Sequence, residues 1–287
     1  MNDTRSNNDD RLDIVMAKLH ANVAEARKRA AAAEHAEAET RLTQCSDRVR
    51  MVPNGFLRSA LFGVVRNKGA QQQRQYLKRQ SIAAVNGVEI LYTGERLDQS
   101  DLDVWEGVLH AVRKHPFGCA CRVTTYALLK AMGKTDCADN RASLHDRIVR
   151  LRANAVEIRQ GRYHYIGGLI RSAVKDEVTQ EWVIELDDKM LPLFAYDQFT
   201  YIKWQDRQAL ANKQLAKWLH GYFMSHTAPY PIKISTLQEL CGSQVADQWK
   251  FTQLLKKALQ DVAEVCAKSG TTFSWEIIDG LVYVKKS

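Results

Sequence analysis

The side chains most able to do chemistry in this chain are basic and amide groups gathered in two places. From Arg141 to Arg171 there are seven Arg and only two acids, Asp146 and Glu157. A guanidinium can fork onto guanine O6 and N7, and it also grips phosphate, so such a cluster points to nucleic-acid contact. Leu144, Ile148 and Leu151 sit at i, i+4 and i+7 and predict a helix with that stripe buried. Arg141, Ser143, His145, Arg147, Arg150 and Arg152 then share the other faces. Arg159 and Arg162 flank a turn at Gln160-Gly161. A second group, Gln244, Gln248, Lys250, Thr252, Gln253, Lys256 and Lys257, lies on another predicted helix. Gln reads adenine well, while Lys neutralises phosphate with little base discrimination. Phe251, Leu254, Leu255 and Leu259 are expected to face inward, and Trp249 is read as core.

Catalytic patterns are weaker. Gly133-Lys134-Thr135 resembles the end of a phosphate-binding loop, but the Gly required five positions earlier is Leu128, and the triplet follows a helix. None of the eight His forms a His-x-His pair, so the metal core of a nicking endonuclease is not expected. Tyr163-His164-Tyr165 would alternate faces in a strand, with both Tyr on one side. Cys119, Cys121 and Cys137 with His115 or His145 could suggest zinc, but the usual C-x2-C spacing is missing. The expectation is binding rather than catalysis, with no cofactor and no metal. A DNA-nicking enzyme stands as a rival reading, and a transcriptional repressor as a closer one.

The whole chain agrees with a polyanionic partner. It has 287 residues and a formal net charge of +8, with 45% hydrophobic and 26% charged residues. A basic protein attracts nucleic acid over long range. No apolar run is long enough to cross a bilayer. No secretory pattern opens the sequence, and six scattered Cys suit reduced thiols; both fit a cytoplasmic protein without a membrane partner.

The elements that must position these groups follow from periodicity and turn signals. Residues 1–54 read as a charged, Ala-rich tail, helical or disordered. Residues 55–96 read as a connector containing a hairpin at Asn86-Gly87. Residues 97–196 then offer a helix opened by a Ser100/Asp103 capping box, a short strand at Cys119–Val123, and a short helix capped by Thr124 or Thr125. That helix stops at Gly133. A longer helix, Arg141–Ala153, a hairpin around Gln160-Gly161 and a strand at Trp182–Leu186 complete the unit. Residues 197–287 repeat the order. They offer one long helix over Trp204–Met224, a short strand, and a helix with a Ser235/Gln238 capping box ending at Gly242. Then come a helix over Gln244–Val265 and a hairpin at Asp279-Gly280. The expected fold is α+β, mostly helical. It consists of two tandem winged helices, each a helix-turn-helix with a β-wing, in which the second helix of each pair enters the major groove.

Several blocks carry a family likeness: Leu97-Asp-Gln-Ser-Asp-Leu-Asp-Val-Trp105, His115-Pro116, Gly161-Arg-Tyr163, Arg207-Gln-Ala-Leu210 and Trp218-Leu-His-Gly221. Together, over about Gly55 to Val284, the chain resembles the TrfA family of broad-host-range plasmid replication initiators. The resemblance implies two winged helices, binding to tandem origin repeats (iterons), and strand opening beside them, with single-stranded origin DNA as a further ligand. It also implies recruitment of the host initiator, helicase and sliding clamp, and a monomer–dimer equilibrium that limits copy number. A clamp contact would use a short Gln-Leu-x-Leu-Phe-like peptide. The candidates are Leu57, Leu61 and Phe62 in one stretch and Met190-Leu-Pro-Leu193-Phe194 in another; both lack the leading Gln, and the first is preferred.

Overall fold

The computed structural model describes residues 42, 45–64, 74–85, 87–161, 163–195 and 197–287. The expected N-terminal tail, except for Leu42 and the residues from Cys45, lies outside the described residues, as does Arg162. The described chain is mixed α/β.

The first part runs β1 (Val49–Pro53), α1 (Asn54–Leu57), β2 (Phe62–Gly63), β3 (Tyr76–Ile82), β4 (Val88–Glu95) and β5 (Leu97–Asp98). Next come α2 (Gln99–Val112), β6 (Cys121–Thr124), α3 (Thr125–Ala131) and α4 (Ala138–Arg152). Four strands follow: β7 (Ala155–Gln160), β8 (Tyr163–Gly167), β9 (Ser172–Asp176) and β10 (Glu181–Glu185). After a 3-10 turn at Asp188–Phe194, β11 (Phe199–Lys203) returns to pair antiparallel with β1. The last part contains α5 (Trp204–Ala209), α6 (Gln214–Met224), β12 (Ile232–Lys233), α7 (Ile234–Leu240), α8 (Gln248–Lys268), β13 (Phe273–Ile278) and β14 (Leu281–Lys286).

Two sheets have the same construction. One has the order β6-β10-β9 and the other β12-β14-β13. In each, the short strand before a helix pair joins the last strand of the hairpin that follows it. Gly133 and Gly242 end the first helix of each pair with φ of +67° and +64°, values that suit a residue without Cβ. The repeat is therefore real in topology, but its first hairpin is β9–β10. The expected wing at Gln160-Gly161 is a different structure. Strands β7 and β8 are inserted between α4 and β9, and they complete a four-stranded sheet, β3-β4-β7-β8, with the Asn86-Gly87 hairpin. Pairing along β4–β7, from Val88↔Gln160 to Thr93↔Ala155, buries Ile90, Tyr92, Val156 and Ile158. Sequence signals locate both hairpins, yet which strand each one joins depends on residues about sixty positions apart.

Other boundaries move for local reasons. The capping box of α2 is Asp98/Asp101, not Ser100/Asp103. Asp98 accepts from the Ser100 and Asp101 amides (2.8 and 3.0 Å), and Asp101 accepts from the Asp98 amide (2.9 Å). The expected helix over Trp204–Met224 is two helices, broken where Ala211 takes φ +48°. No capping box opens α7: the Gln238 side chain instead donates to the Val245 carbonyl (2.6 Å) and ties down the turn before α8. Asp247 caps α8 by accepting from the Trp249 and Lys250 amides. Thr124 caps α3, as the sequence allows.

Packing forms two apolar cores. The first runs from Leu42 to Ile202 around Phe56, Phe62, Trp105 and Leu151. The second runs from Leu210 to Val284 around Trp218, Phe223, Phe251 and Leu259. Residues 55–96 do more than connect. Phe56 and Leu57 belong to the first core, Val64 and Val85 pack on the second, and Ser59 accepts the Trp218 indole N–H through its carbonyl (3.0 Å).

Candidate nucleic-acid interface

Helix α4 is held by Leu144, Ile148 and Leu151, all buried, as the spacing predicts. The turn before it is tightly organised. The Asn140 amide donates to the Thr135 carbonyl (2.8 Å), and Arg141 forks onto Asp136 (2.6 and 2.8 Å). Arg141, His145 and Arg152 are exposed, as is Lys134 in the turn, and Ser143 is half-buried. The His145 ring lies 5.6 Å from that of Trp182 on β10. Arg152 and Lys134 have no side-chain partner among the described residues.

Arg147 and Arg150 are placed differently from expectation. Both turn toward the first turn of α2. Arg147 Nη1 lies 3.0 Å from Asp101 Oδ1 and 3.4 Å from Asp98, while Arg150 bonds Asp101 (2.7 Å) and Glu95 (2.9 Å). Arg74 closes the cluster with contacts of 2.6 Å to Asp98 and 2.9 Å to Asp101. Both carboxylates are buried. Burial pushes the Asp98 carboxyl up, but Arg147 and Arg74 outweigh it and hold it below the usual range. Two of the expected DNA-facing Arg thus fasten α4 to α2. Nothing within α4 announces this, because the acids lie 46–55 residues earlier in the chain. Arg159, expected on a wing, stands exposed on the inserted sheet, 3.7 Å from Glu89.

Helix α8 buries Phe251, Leu255, Ala258, Leu259, Val262 and Cys266. Gln248, Lys250, Gln253, Lys256 and Lys257 are exposed, and Gln244 is exposed in the preceding loop. Gln253, Lys256 and Lys257 have no side-chain partner among the described residues. Two inward expectations fail: Leu254 is 37% exposed and Trp249 is 68% exposed. Trp249 lies on the side of the helix away from Phe251 and Leu255, whereas Leu254 flanks the buried stripe one turn from Phe251.

Three of the blocks that carried the family likeness, Leu97–Trp105, Arg207–Leu210 and Trp218–Gly221, sit elsewhere, where the two cores meet. Arg207, fully buried, donates to Asp103 (2.7 Å) and to the Gln99 carbonyl (3.1 Å), and lies 3.3 Å from Glu106. Lys217 reaches Asp103 at 2.5 Å, and Gln214 accepts from the Gln99 amide (2.9 Å). Gly221 meets Leu57 so closely that a Cβ there would lie 2.8 Å from the Leu57 Cδ2. A larger residue at Gly221 would have to move the Leu57 side chain.

The proposed clamp peptides are core. Leu57, Leu61 and Phe62 are 0–3% exposed, and Met190, Leu193 and Phe194 are also buried. A peptide that fills the first core cannot be presented to a partner without unfolding it. Among the described residues, Cys119, Cys121 and Cys137 belong to no ligand group. Among the described residues, the three metal-capable side chains that do meet are Asp206, His220 and Cys266, buried between α5, α6 and α8. Burial, with Arg207, Lys286 and Lys203 nearby, pushes His220 down to about 3, and burial beside Asp206 pushes the Cys266 thiol up to about 11. That setting favours neutral, packed groups. Tyr165 is buried and donates to the Gly168 carbonyl, so Tyr163-His164-Tyr165 is part of a sheet.

The family model for the TrfA protein matches residues 17–286. The chain belongs to the TrfA family. It is 30% identical over 277 residues to the plasmid replication initiator protein TrfA of Escherichia coli, covering 90% of this chain and 69% of that protein. It is also 25% identical over 190 residues to the protein RepA of Escherichia coli, covering 62% of this chain and 64% of that one. A crystal structure of domains 2 and 3 of RctB superposes with a TM-score of 0.53 at 14% identity, covering 82% of this chain and 96% of the other, so the fold is shared. Among the described residues no helix is long and apolar enough to cross a membrane.

Proposed function

We propose that this TrfA-family chain is a sequence-specific double-stranded DNA-binding protein that initiates plasmid replication at origin repeats. Its two repeated units are read as winged helices, with α4 and α8 in successive major grooves and β9–β10 and β13–β14 as the wings. The observation that carries this reading is the shared sheet order of the two units, each followed through to a helix bearing exposed cationic or amide groups. The contacts assigned to DNA are Lys134, Arg141, His145 and Arg152 on the first unit. On the second they are Gln244, Gln248, Lys250, Gln253, Lys256 and Lys257. Arg147 and Arg150 are assigned a positioning role, because their charges already serve Asp98 and Asp101. Linked domains raise the effective concentration of the second contact once the first has formed. The action is binding, not catalysis; paired domains that bend DNA would favour opening of an adjacent AT-rich segment. Recruitment of host replication proteins and control by self-association belong to the same family reading.

The test is selection of bound duplexes from a random library, followed by a salt titration. A motif of about 15–20 base pairs, with a log–log salt slope of about −0.9 per phosphate neutralised, supports two reading domains. A motif of half that length withdraws one domain, and no enriched motif sinks the reading. Maintenance of a plasmid carrying only the cognate origin then separates an initiator from a repressor.

A further inference from the structure

Five of the six Trp are held by the fold. Trp105, Trp182, Trp204 and Trp218 are buried, and Trp275 packs against the second core. Trp105, Trp204 and Trp218 also donate their indole N–H groups to backbone carbonyls. Trp249 is the exception. It is 68% exposed, and among the described residues its ring has no hydrogen-bond, ring or cation partner. An indole left in water forgoes the largest apolar burial any side chain offers.

Its position gives it a use. Asp247 caps α8, and the Trp249 amide donates to that cap at 2.9 Å, so the residue sits in the first turn. The cap fixes where the backbone begins. Trp249, Gln253, Lys256 and Gln260 follow at spacings of four, three and four and are all exposed. They form one stripe opposite the buried Phe251, Leu255 and Val262. The indole is thus an apolar group among amides and ammonium groups. A protein-binding face would be expected to gather several large apolar groups, whereas here Leu254, at 37%, is the other large exposed apolar side chain of the helix. Major-groove base edges offer polar atoms for Gln and one apolar feature, the thymine C5-methyl. Residues in the first turn of a reading helix reach those edges.

We infer that Trp249 is a specificity-determining residue that packs against a thymine methyl in the major groove, beside adenine or phosphate contacts from Gln253 and Lys256. This rests on the DNA-binding reading above. It assigns to α8 an apolar preference that its Gln and Lys side chains cannot supply.

The experiment uses the full chain and the duplex it selects. Each thymine is replaced in turn by deoxyuridine, which removes only the methyl, and affinity is measured at one fixed salt concentration. For the wild-type protein, one or two positions in the half bound by the second unit should lose about fourfold, the worth of one buried methyl-sized group. In Trp249→Ala the same replacement should cost nothing, and library selection should relax at that position. Trp249→Phe should keep part of the effect. Because the ring is exposed, the melting temperature of both variants should match wild type. An unchanged motif and affinity in Trp249→Ala overturns the inference, as does an equal deoxyuridine penalty in both proteins or a uniform loss on every sequence. These outcomes leave the DNA-binding reading standing. Failure of the wild-type chain to select any motif overturns both.

Discussion

Arg207, from α5, places its Nε 2.7 Å from the Asp103 carboxylate of α2, in a position with no solvent exposure on the arginine. The pair joins the two cores. Glu106 lies 3.3 Å from the same Nε as an ion-pair partner, Nη2 donates to the Gln99 carbonyl at 3.1 Å, and Nη1 is buried without a hydrogen-bond partner among the described residues. Replacing Arg207 with Met leaves Asp103 and Glu106 facing one another without their main counter-charge. Removing one partner of a buried pair typically costs about 3–5 kcal/mol. Urea denaturation should show a loss of that order, and a loss below about 1 kcal/mol would mean the joint does not depend on this contact.

Glu106 gives the joint a pH dependence. Burial pushes its carboxyl from 4.5 up to about 7, with Asp103 adding to the rise and Arg207, Arg50 and Lys217 opposing it. A raised folded-state value means stability that is fully present below the unfolded value and lost as pH climbs through the folded one. From about pH 4.5 to 7 the wild type should therefore lose stability at this site, while Glu106→Gln should not. The difference between the two proteins should grow by up to about 3 kcal/mol across that window. Parallel pH–stability curves would refute the assignment.

The two kinds of arginine on α4 should separate experimentally. Arg147→Ala removes contacts to two buried carboxylates, so it should lower stability by about 1–3 kcal/mol. At temperatures where the variant stays folded, its salt slope for DNA should be unchanged. Arg152→Ala should leave the melting temperature in place and flatten the slope by about 0.9. The reverse pattern would exchange their roles.

Gly221→Ala tests the close approach of α6 to Leu57. A Cβ 2.8 Å from the Leu57 Cδ2 must displace a side chain within a filled core. Overpacking of this kind costs about 1–3 kcal/mol. In a Leu57→Ala background the added methyl should cost less than the sum of the single changes, and strict additivity would show that the two residues do not press on each other.

Much of the architecture was legible in the chain. Leu144, Ile148 and Leu151 mark the buried stripe of α4. Gly133 and Gly242 mark where the first helix of each pair stops, and Asn86-Gly87 and Asp279-Gly280 mark hairpins. These features are set by neighbours within one or two turns of chain, through backbone freedom, periodicity and capping. The family likeness is also visible, and three of its blocks, around Asp103, Arg207 and Gly221, form contacts where the two cores meet.

Tertiary structure decided what those elements meet. Strands β7 and β8 look like a wing locally, but β4 offers them a longer edge than β6 does, and β10 takes β6 instead. Arg147 and Arg150 match their neighbours in type and spacing, yet Asp98 and Asp101 claim them from another helix. Leu57, Leu61 and Phe62 are apolar enough for a docking peptide or a core, and the surrounding first core takes them. Trp249 is apolar enough to be expected inward, while the phase of α8 turns it out. Sequence periodicity specifies a helix and its buried stripe. The partner of each remaining side chain is set by groups tens of residues away, which only the folded chain brings within reach.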